Sequence, residues 1–255
     1  MQGKIVFITG ASSGIGAACA HTFAQAGARL ILAARRLEGL QSLAAQLPKT
    51  TDVYLIKLDV RDRPAVTQEI ANLPSEWAEV EILINNAGLA RGLELFPDAE
   101  VTDWEEMIDT NIKGLLYMTR YIIPGMLDRG RGHIINIGSI AGHAAYPRGS
   151  VYCGTKAAVK LITEGLKQDL IGTPIRVSSV DPGLVETEFS IVRFHGDAAK
   201  AEKVYQGLTP LSAMDVADVI FFCATRPAHV NINDVVLMPV DQSSATLVHR
   251  RTPSL

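Results

Sequence analysis

Seven short apolar runs rich in β-branched residues alternate with amphipathic stretches, and this alternation constrains the fold more than any other feature. The runs occupy residues 4–9, 29–34, 53–58, 80–84, 132–138, 175–180 and 234–238. Runs this short and this continuously apolar read as strands buried on both faces, the signature of a parallel sheet. Helical periodicity fills the intervals at 17–26, 37–47, 65–73, 101–129, 157–171 and 215–224. Thr102 and Glu105 fit a capping box at the start of the long fourth stretch, and Pro124 is expected to kink or break it near its end. β and α in alternation predict one α/β domain over residues 1–255. Its architecture is a doubly wound, seven-stranded parallel sheet flanked by helices. With 47% of its 255 residues hydrophobic, the chain can fill the core of such a domain. No linker, low-complexity stretch or further repeat interrupts it. Residues 241–255 are polar and are expected to be irregular.

In open α/β sheets ligands bind beyond the C-terminal ends of the strands. The first strand ends in Gly10-Ala11-Ser12-Ser13-Gly14-Ile15-Gly16, followed by a helix. Strand, glycine-rich turn and helix form the context of a dinucleotide site in a Rossmann-type fold: glycines let backbone N–H groups approach a pyrophosphate, and the helix N-terminus favours its charge. The spacing is G-x-x-x-G-x-G, and a plain strand–helix turn explains these glycines about as well. The second strand ends in Ala33-Ala34-Arg35-Arg36, where an NAD-binding fold would carry an acid for the ribose 2′-hydroxyl. Two arginines suit a 2′-phosphate instead, which favours NADP(H), with Arg35 the better placed and Ser12 or Ser13 able to add a hydroxyl. Asp59 at the end of the third strand can accept from an adenine amino group or cap the next helix. Asn85 and Asn86 at the end of the fourth can tie neighbouring backbone together, leaving Ala87 and Gly88 to pass close to a ligand.

The fifth strand delivers Ser139, and a loop leads to Val151-Tyr152-Cys153-Gly154-Thr155-Lys156. Tyr152 and Lys156 lie four apart on one helix face. An ammonium near a phenol lowers the phenol's pKa, which predicts a tyrosine active as a general acid or base near neutral pH. Asn111, a poor interior helix residue, is either solvated or turned inward onto water or a backbone carbonyl.

Composition narrows the partners. The net charge is −3, and no basic tract suggests nucleic acid. No apolar run reaches the roughly 18–20 residues of a membrane span. The sequence shows no signal-peptide pattern, and its three widely separated cysteines read as reduced thiols, which together predict a cytoplasmic protein. The six histidines show no metal spacing, so no metal is expected.

Taken together, Thr9-Gly10-x-x-x-Gly14-Ile15-Gly16, Asn85-Asn86-Ala87-Gly88, Asn111, Ser139, Tyr152-x-x-x-Lys156 and Pro182-Gly183 resemble the short-chain dehydrogenase/reductase family, in order, at family spacing and over essentially the whole chain. The second half is similar to the bacterial and fungal NADP-dependent 3-hydroxy acid (serine-type) dehydrogenases. That likeness rests on Val185-Glu186-Thr187-Glu188-Phe189-Ser190-x-Val192-Arg193-Phe194-x-Gly196-Asp197 and on Pro227-Ala228-His229-Val230-Asn231-Ile232-Asn233. The resemblance implies hydride transfer between NADP(H) and a small 3-hydroxy acid, or the matching carbonyl compound or semialdehyde. It implies a catalytic set of Asn111, Ser139, Tyr152 and Lys156. Tyr152 takes the proton, Lys156 lowers its pKa and bonds the nicotinamide ribose, Ser139 holds the substrate oxygen, and Asn111 positions a water in a relay with Lys156. Cofactor contacts are expected from Gly10, Ser12, Ser13, Gly14, Ile15, Gly16, Arg35, Arg36, Asp59, Val60, Asn86, Ala87, Gly88, Tyr152, Lys156, Pro182, Gly183, Val185 and Thr187. Substrate contacts are expected from Ser139, Tyr152 and either Arg193 or Arg148, with residues 184–207 covering the pocket. A homotetramer is expected on the same ground. The alternatives are a carbonyl reductase for uncharged ketones or 3-oxoacyl thioesters, and a non-catalytic NADP-binding sensor. Sensors of this kind typically lose the tyrosine or lysine, and here both are present.

Overall fold

The computed structural model describes residues 1–251. Seven parallel strands form one sheet: β1 (Ile5–Thr9), β2 (Arg29–Ala34), β3 (Val53–Lys57), β4 (Val80–Asn85), β5 (Gly132–Ile137), β6 (Ile175–Pro182) and β7 (Asp234–Leu237). Their order is β3-β2-β1-β4-β5-β6-β7, as the alternation predicts. The order reverses between β1 and β4, which leaves a crevice beyond their C-terminal ends. Register sets the strand ends level there, with Thr9 opposite Ala33 and Ile8 opposite Ile84.

Successive side chains leave a strand on opposite faces, so each strand feeds two cores. Val6, Ile8, Leu30 and Leu32 pack with α1 (Gly14–Gln25), α2 (Leu37–Gln46) and α9 (Ala213–Ala224). Phe7, Ile31, Leu83, Ile134 and Val177 pack with α3 (Arg63–Ala71) and α5 (Leu115–Asp128). Local propensity does not account for α1, whose first turn holds Gly14 and Gly16, each about 1 kcal/mol worse than Ala in a helix. Burial offsets them: Phe23 alone contributes about 1.5–3 kcal/mol, its ring meets Phe221 edge-on at 5.2 Å, and Ala18, Cys19, Ala20 and Ala24 are buried with it.

Several expectations need correction. The single helix expected over 101–129 is two, α4 (Val101–Ile108) and α5, joined by a π-helical turn at Asp109–Gly114. There is no capping box at Thr102: the helix starts at Val101 with Glu100 as N-cap, which puts Thr102 inside the first turn. Pro124 lies within α5, which runs on to Asp128 instead of breaking. Asp59 does not cap α3. Asp62 does, accepting from the Ala65 N–H at 3.0 Å, because Arg61 engages the Asp59 carboxylate. The polar tail is not wholly irregular. Gln242 pairs antiparallel with Val248, and Arg251 bonds the Gly207 carbonyl and Asp241. The expectation for 252–255 lies outside the described residues. Among the described residues no helix is long and apolar enough to cross a membrane.

Candidate active site

The glycine turn is closed by β4. Gly10 and Gly14 have φ of +63° and +56°, a left-handed backbone that Gly alone adopts without strain. A Cβ on Gly16 would lie 2.5 Å from the Gly10 carbonyl oxygen and 2.6 Å from Asn86 Nδ2. Asn86 Nδ2 donates to the carbonyls of Thr9 and Gly10 at 2.9 and 3.1 Å. Thr9 Oγ1 accepts from the backbone N–H groups of Asn86 and Ala87, both at 3.0 Å. Asn85 donates to Thr119 and Asn136 inside the core. Asn86 therefore ties neighbouring backbone together as its position suggested, whereas Asn85 bonds side chains only.

A cleft of about 500 Å³ opens over these strand ends. It is lined by Gly10, Ser13, Gly14, Ile15, Asn86, Ala87, Gly88, Ser139, Tyr152, Lys156, Pro182, Gly183, Val185 and Thr187, and by both Arg148 and Arg193. Val185 and Thr187 stand in the segment before α7 (Phe189–Arg193), and Phe189 and Tyr205 also line the cleft. α8 (Ala198–Lys203) follows within the same segment.

Tyr152 and Lys156 stand on α6 (Ser150–Asp169), both under a tenth exposed. Lys156 Nζ donates to the Ile137 carbonyl at 2.8 Å. Burial lowers its pKa to about 8, against the supporting charge of Asp181. The Tyr152 phenol departs from expectation: its pKa is raised, not lowered. Burial dominates, with Tyr146 adding to it, and the Ser139 hydroxyl and Arg193 oppose it only in part. The expected depression by Lys156 does not appear, because the ammonium is turned to the Ile137 carbonyl and is itself desolvated. A protonated phenol suits proton donation to a carbonyl oxygen. The Ser139 hydroxyl accepts from the Ala141 N–H at 3.1 Å, which fixes it at the mouth of a short helical turn. Asn111 is 2% exposed and turned inward from the π-helical turn. Its Oδ1 accepts from the Leu89 N–H at 2.8 Å, and its Nδ2 donates to the Leu89 carbonyl and Thr155 Oγ1. Cys153 is buried, and burial raises its thiol, which argues against a nucleophilic role.

Some expected contacts stand back from the cleft lining. Arg35, half exposed, pairs with Glu106 at 3.4 Å, and Arg36 pairs with Glu188 at 2.8 Å while donating to Ser13. Asp59 is held by Arg61, whose hydrogen bonds keep its carboxyl low against the opposing effect of burial. Val60 packs where a Cβ on Gly114 would stand, Ser12 lies against Gly39, and Gly16 supports the turn from below. Glu106 takes Arg35, Arg61 and Arg91 together, an ionic hub that spacing did not reveal.

Of the two candidate anchors, Arg193 is the more constrained. It donates from Nε to the Gly92 carbonyl at 3.1 Å and from Nη2 to Tyr146 Oη at 2.8 Å, with its guanidinium 5.4 Å from the Tyr152 ring centre. Arg148 is exposed, adopts φ +68°, and pairs with no carboxylate among the described residues. Tyr146 is a cleft residue that sequence reasoning missed. Its one trace is Gly149, where a side chain would strike the Tyr146 ring. Also unforeseen, His143, Asp181 and Asp234 come together from three segments, their donor atoms within 4.8 Å of one another.

The profile of the short chain dehydrogenase family matches residues 4–197. An NADP-dependent 3-hydroxy acid dehydrogenase of Escherichia coli K12 is 51% identical over 97% of this chain and all of its own length. A fission-yeast enzyme of the same description, from Schizosaccharomyces pombe, is 45% identical over 98% of each chain. A serine dehydrogenase solved in its closed form with NADP+ superposes with a TM-score of 0.91 at 50% identity, covering 97% of this chain and all of that one. The chain belongs to the short-chain dehydrogenase family and is an oxidoreductase acting on CH–OH groups. Within that family it is similar to NADP-dependent 3-hydroxy acid dehydrogenases.

Proposed function

We propose that the protein transfers a hydride between NADP(H) and a small 3-hydroxy acid, of the serine, allo-threonine or 3-hydroxyisobutyrate type, or the corresponding carbonyl compound or semialdehyde. The carrying observation is that Ser139, Tyr152 and Lys156 line one cleft with the glycine turn. The relatives at about half identity, and their names, support the substrate class. The glycine cradle, where a Cβ would strike backbone, and two arginines at the end of β2 fit a dinucleotide carrying a 2′-phosphate. When bound, NADP(H) supplies the hydride chemistry. The chain supplies position and proton transfer. In carbonyl reduction Tyr152 Oη gives its proton to the substrate oxygen, and Ser139 Oγ donates a hydrogen bond to the same oxygen. Lys156, one turn further along α6 and held by the Ile137 carbonyl, is the cation of the proposed pair. Asn111 braces Leu89 and Thr155, one residue from Gly88 and from Lys156, and holds the water of the relay.

Absorbance of NADPH, followed with a panel of 3-oxo acids, semialdehydes, uncharged ketones and 3-oxoacyl thioesters, tests the reading. Turnover of small acids with NADPH preferred to NADH is the expected result. Turnover of bulky ketones alone would discard the acid pocket. Arg35→Ser should raise KM for NADPH about tenfold or more and leave NADH nearly unchanged, because a charge-assisted phosphate contact is lost. An equal change with both cofactors would place the 2′-phosphate elsewhere. Arg193 is the proposed carboxylate anchor, reached beside Tyr146 and Tyr152. Arg193→Ala should raise KM for acids far more than for uncharged alcohols. Equal effects on both would return the role to Arg148. Residues 184–207 act as the cover of the cleft. The proposed assembly is a homotetramer, on the family resemblance. Light scattering of the purified protein checks it.

A further inference from the structure

Two arginines follow β2, and each holds a carboxylate. Arg36 pairs with Glu188 at 2.8 Å, and Arg35 pairs with Glu106 at 3.4 Å. Glu106 stands near the end of α4, 71 positions from Arg35. Its Oε1 is shared, 3.4 Å from Arg35 Nη1 and 3.3 Å from Arg61 Nη1, while Oε2 accepts from Arg91 Nε at 2.7 Å. Asp59 is the second anion of the group, and Arg61 binds both of its oxygens. In direct contact, three guanidiniums thus meet two carboxylates, and one positive charge is left over. Distance and exposure show where it lies. Arg91 is 18% exposed and makes the short bond, and its Nη1 also donates to the Val192 carbonyl of α7 at 2.6 Å. Arg61 is tied to both acids. Arg35 has the longest contact, shares its oxygen, and is 52% exposed. The surplus charge therefore falls to Arg35, which suits it to a phosphate. The bond from Arg91, with the charges of all three arginines, holds the Glu106 carboxyl below its ordinary range against burial, so it is ionised at neutral pH.

We propose that Glu106 is a specificity-determining residue for the cofactor: its carboxylate competes with the 2′-phosphate for the Arg35 guanidinium and so moderates the preference for NADPH over NADH. The proposal rests on Arg35 being the 2′-phosphate ligand. Glu106 acts through Arg35 and is a positioning residue. Its bonds to Arg61 and Arg91 give the reason for an acid beside a phosphate subsite: it braces the arginine that reaches α7. The sign of the effect follows from the geometry. A long, half-exposed contact holds Arg35 only weakly, so little order is lost with it. Two anions on one guanidinium lie within the roughly 8 Å Debye length of physiological salt, so each weakens the hold of the other. Once the Glu106 charge is gone, the whole of the Arg35 guanidinium is free for the phosphate. NADH has no 2′-phosphate and gains nothing, so the change is one of preference between the two cofactors.

The test is the dissociation constant of NADPH and of NADH, by fluorescence titration, for wild type, Glu106→Gln, Glu106→Ala, Arg35→Ser and the Arg35→Ser, Glu106→Gln double variant. Gln keeps the shape and an acceptor for Arg91. Ala removes the same charge and serves where Gln does not fold. Each neutral variant should tighten NADPH about fivefold, the size of one exposed ion pair, and leave NADH within about twofold. In the Arg35→Ser background the gain should vanish. An unchanged or lowered ratio of NADPH to NADH affinity in either neutral variant makes Glu106 merely structural and overturns the proposal. A full gain without Arg35 overturns it too, because the carboxylate then acts on the phosphate directly. Arg35→Ser alone separates the two failures. If it weakens NADPH and spares NADH while the Glu106 variants leave the ratio unmoved, only the role of Glu106 falls. If it weakens both cofactors alike, Arg35 is not the 2′-phosphate ligand, and the role of Glu106 falls with it.

Discussion

Tyr152→Phe will bind NADPH as the wild type does and lose most of its turnover. The substitution removes one oxygen and keeps the ring, which packs 5.7 Å from Phe189 and under the Arg193 guanidinium. The pocket wall and the glycine cradle therefore stay in place. The proton donor is lost, and a positioned acid or base contributes typically about 10²–10⁴-fold. Burial already holds the Tyr152 phenol in its protonated form, so the wild type enters carbonyl reduction with the proton in place. Fluorescence titration of NADPH and turnover on the same sample check both halves. Near-wild-type turnover would end the assignment of Tyr152 as the acid.

Gly16→Ala should weaken cofactor binding and destabilise the fold together. A methyl there meets the Gly10 carbonyl at 2.5 Å, Asn86 Nδ2 at 2.6 Å and the Ala11 Cα at 2.9 Å. Two of the three are backbone, and the third is the amide that ties β4 to the turn. No flexible chain end can yield. Overpacking of this kind costs about 1–3 kcal/mol, and each kcal/mol lowers Tm by roughly 2–4 °C in a domain of this size. NADPH affinity should fall with it, because the same shift opens the turn. Gly154→Ala is the control: nothing lies within 4 Å of a Cβ at that position, and alanine improves the helix. Equal stability in Gly16→Ala and Gly154→Ala would mean that the turn has slack the geometry does not show.

Most of the fold was legible because it follows from period and run length. Seven apolar runs gave seven strands within a residue or two, and the glycine turn, the arginines after β2, Asn86, Ser139 and the Tyr152–Lys156 spacing all mark strand ends or one helix face. Those are local facts, set by backbone geometry and the positions of a few residues. The break in the 101–129 helix was not legible. A π-helical turn costs little in local sequence terms, and only Asn111 reaching for Leu89 and Thr155 reveals it. Tyr146, the Glu106 hub and the partners of Asp181 were equally hidden. Each joins different elements: 47 positions separate Tyr146 from Arg193, 38 separate His143 from Asp181, and Glu106 reaches Arg35 across 71, so no local period shows them.

By itself the sequence determined the doubly wound sheet and the family, and it named the residues proposed to carry the chemistry. Only the tertiary structure decided their electrical state. A Tyr-x-x-x-Lys spacing predicts a phenol lowered by its neighbour, yet the folded chain buries both groups. Desolvation then penalises each charged form, raising the phenol and bringing the ammonium down to about 8. Burial is a property of everything packed around a residue, so no spacing within one helix contains it.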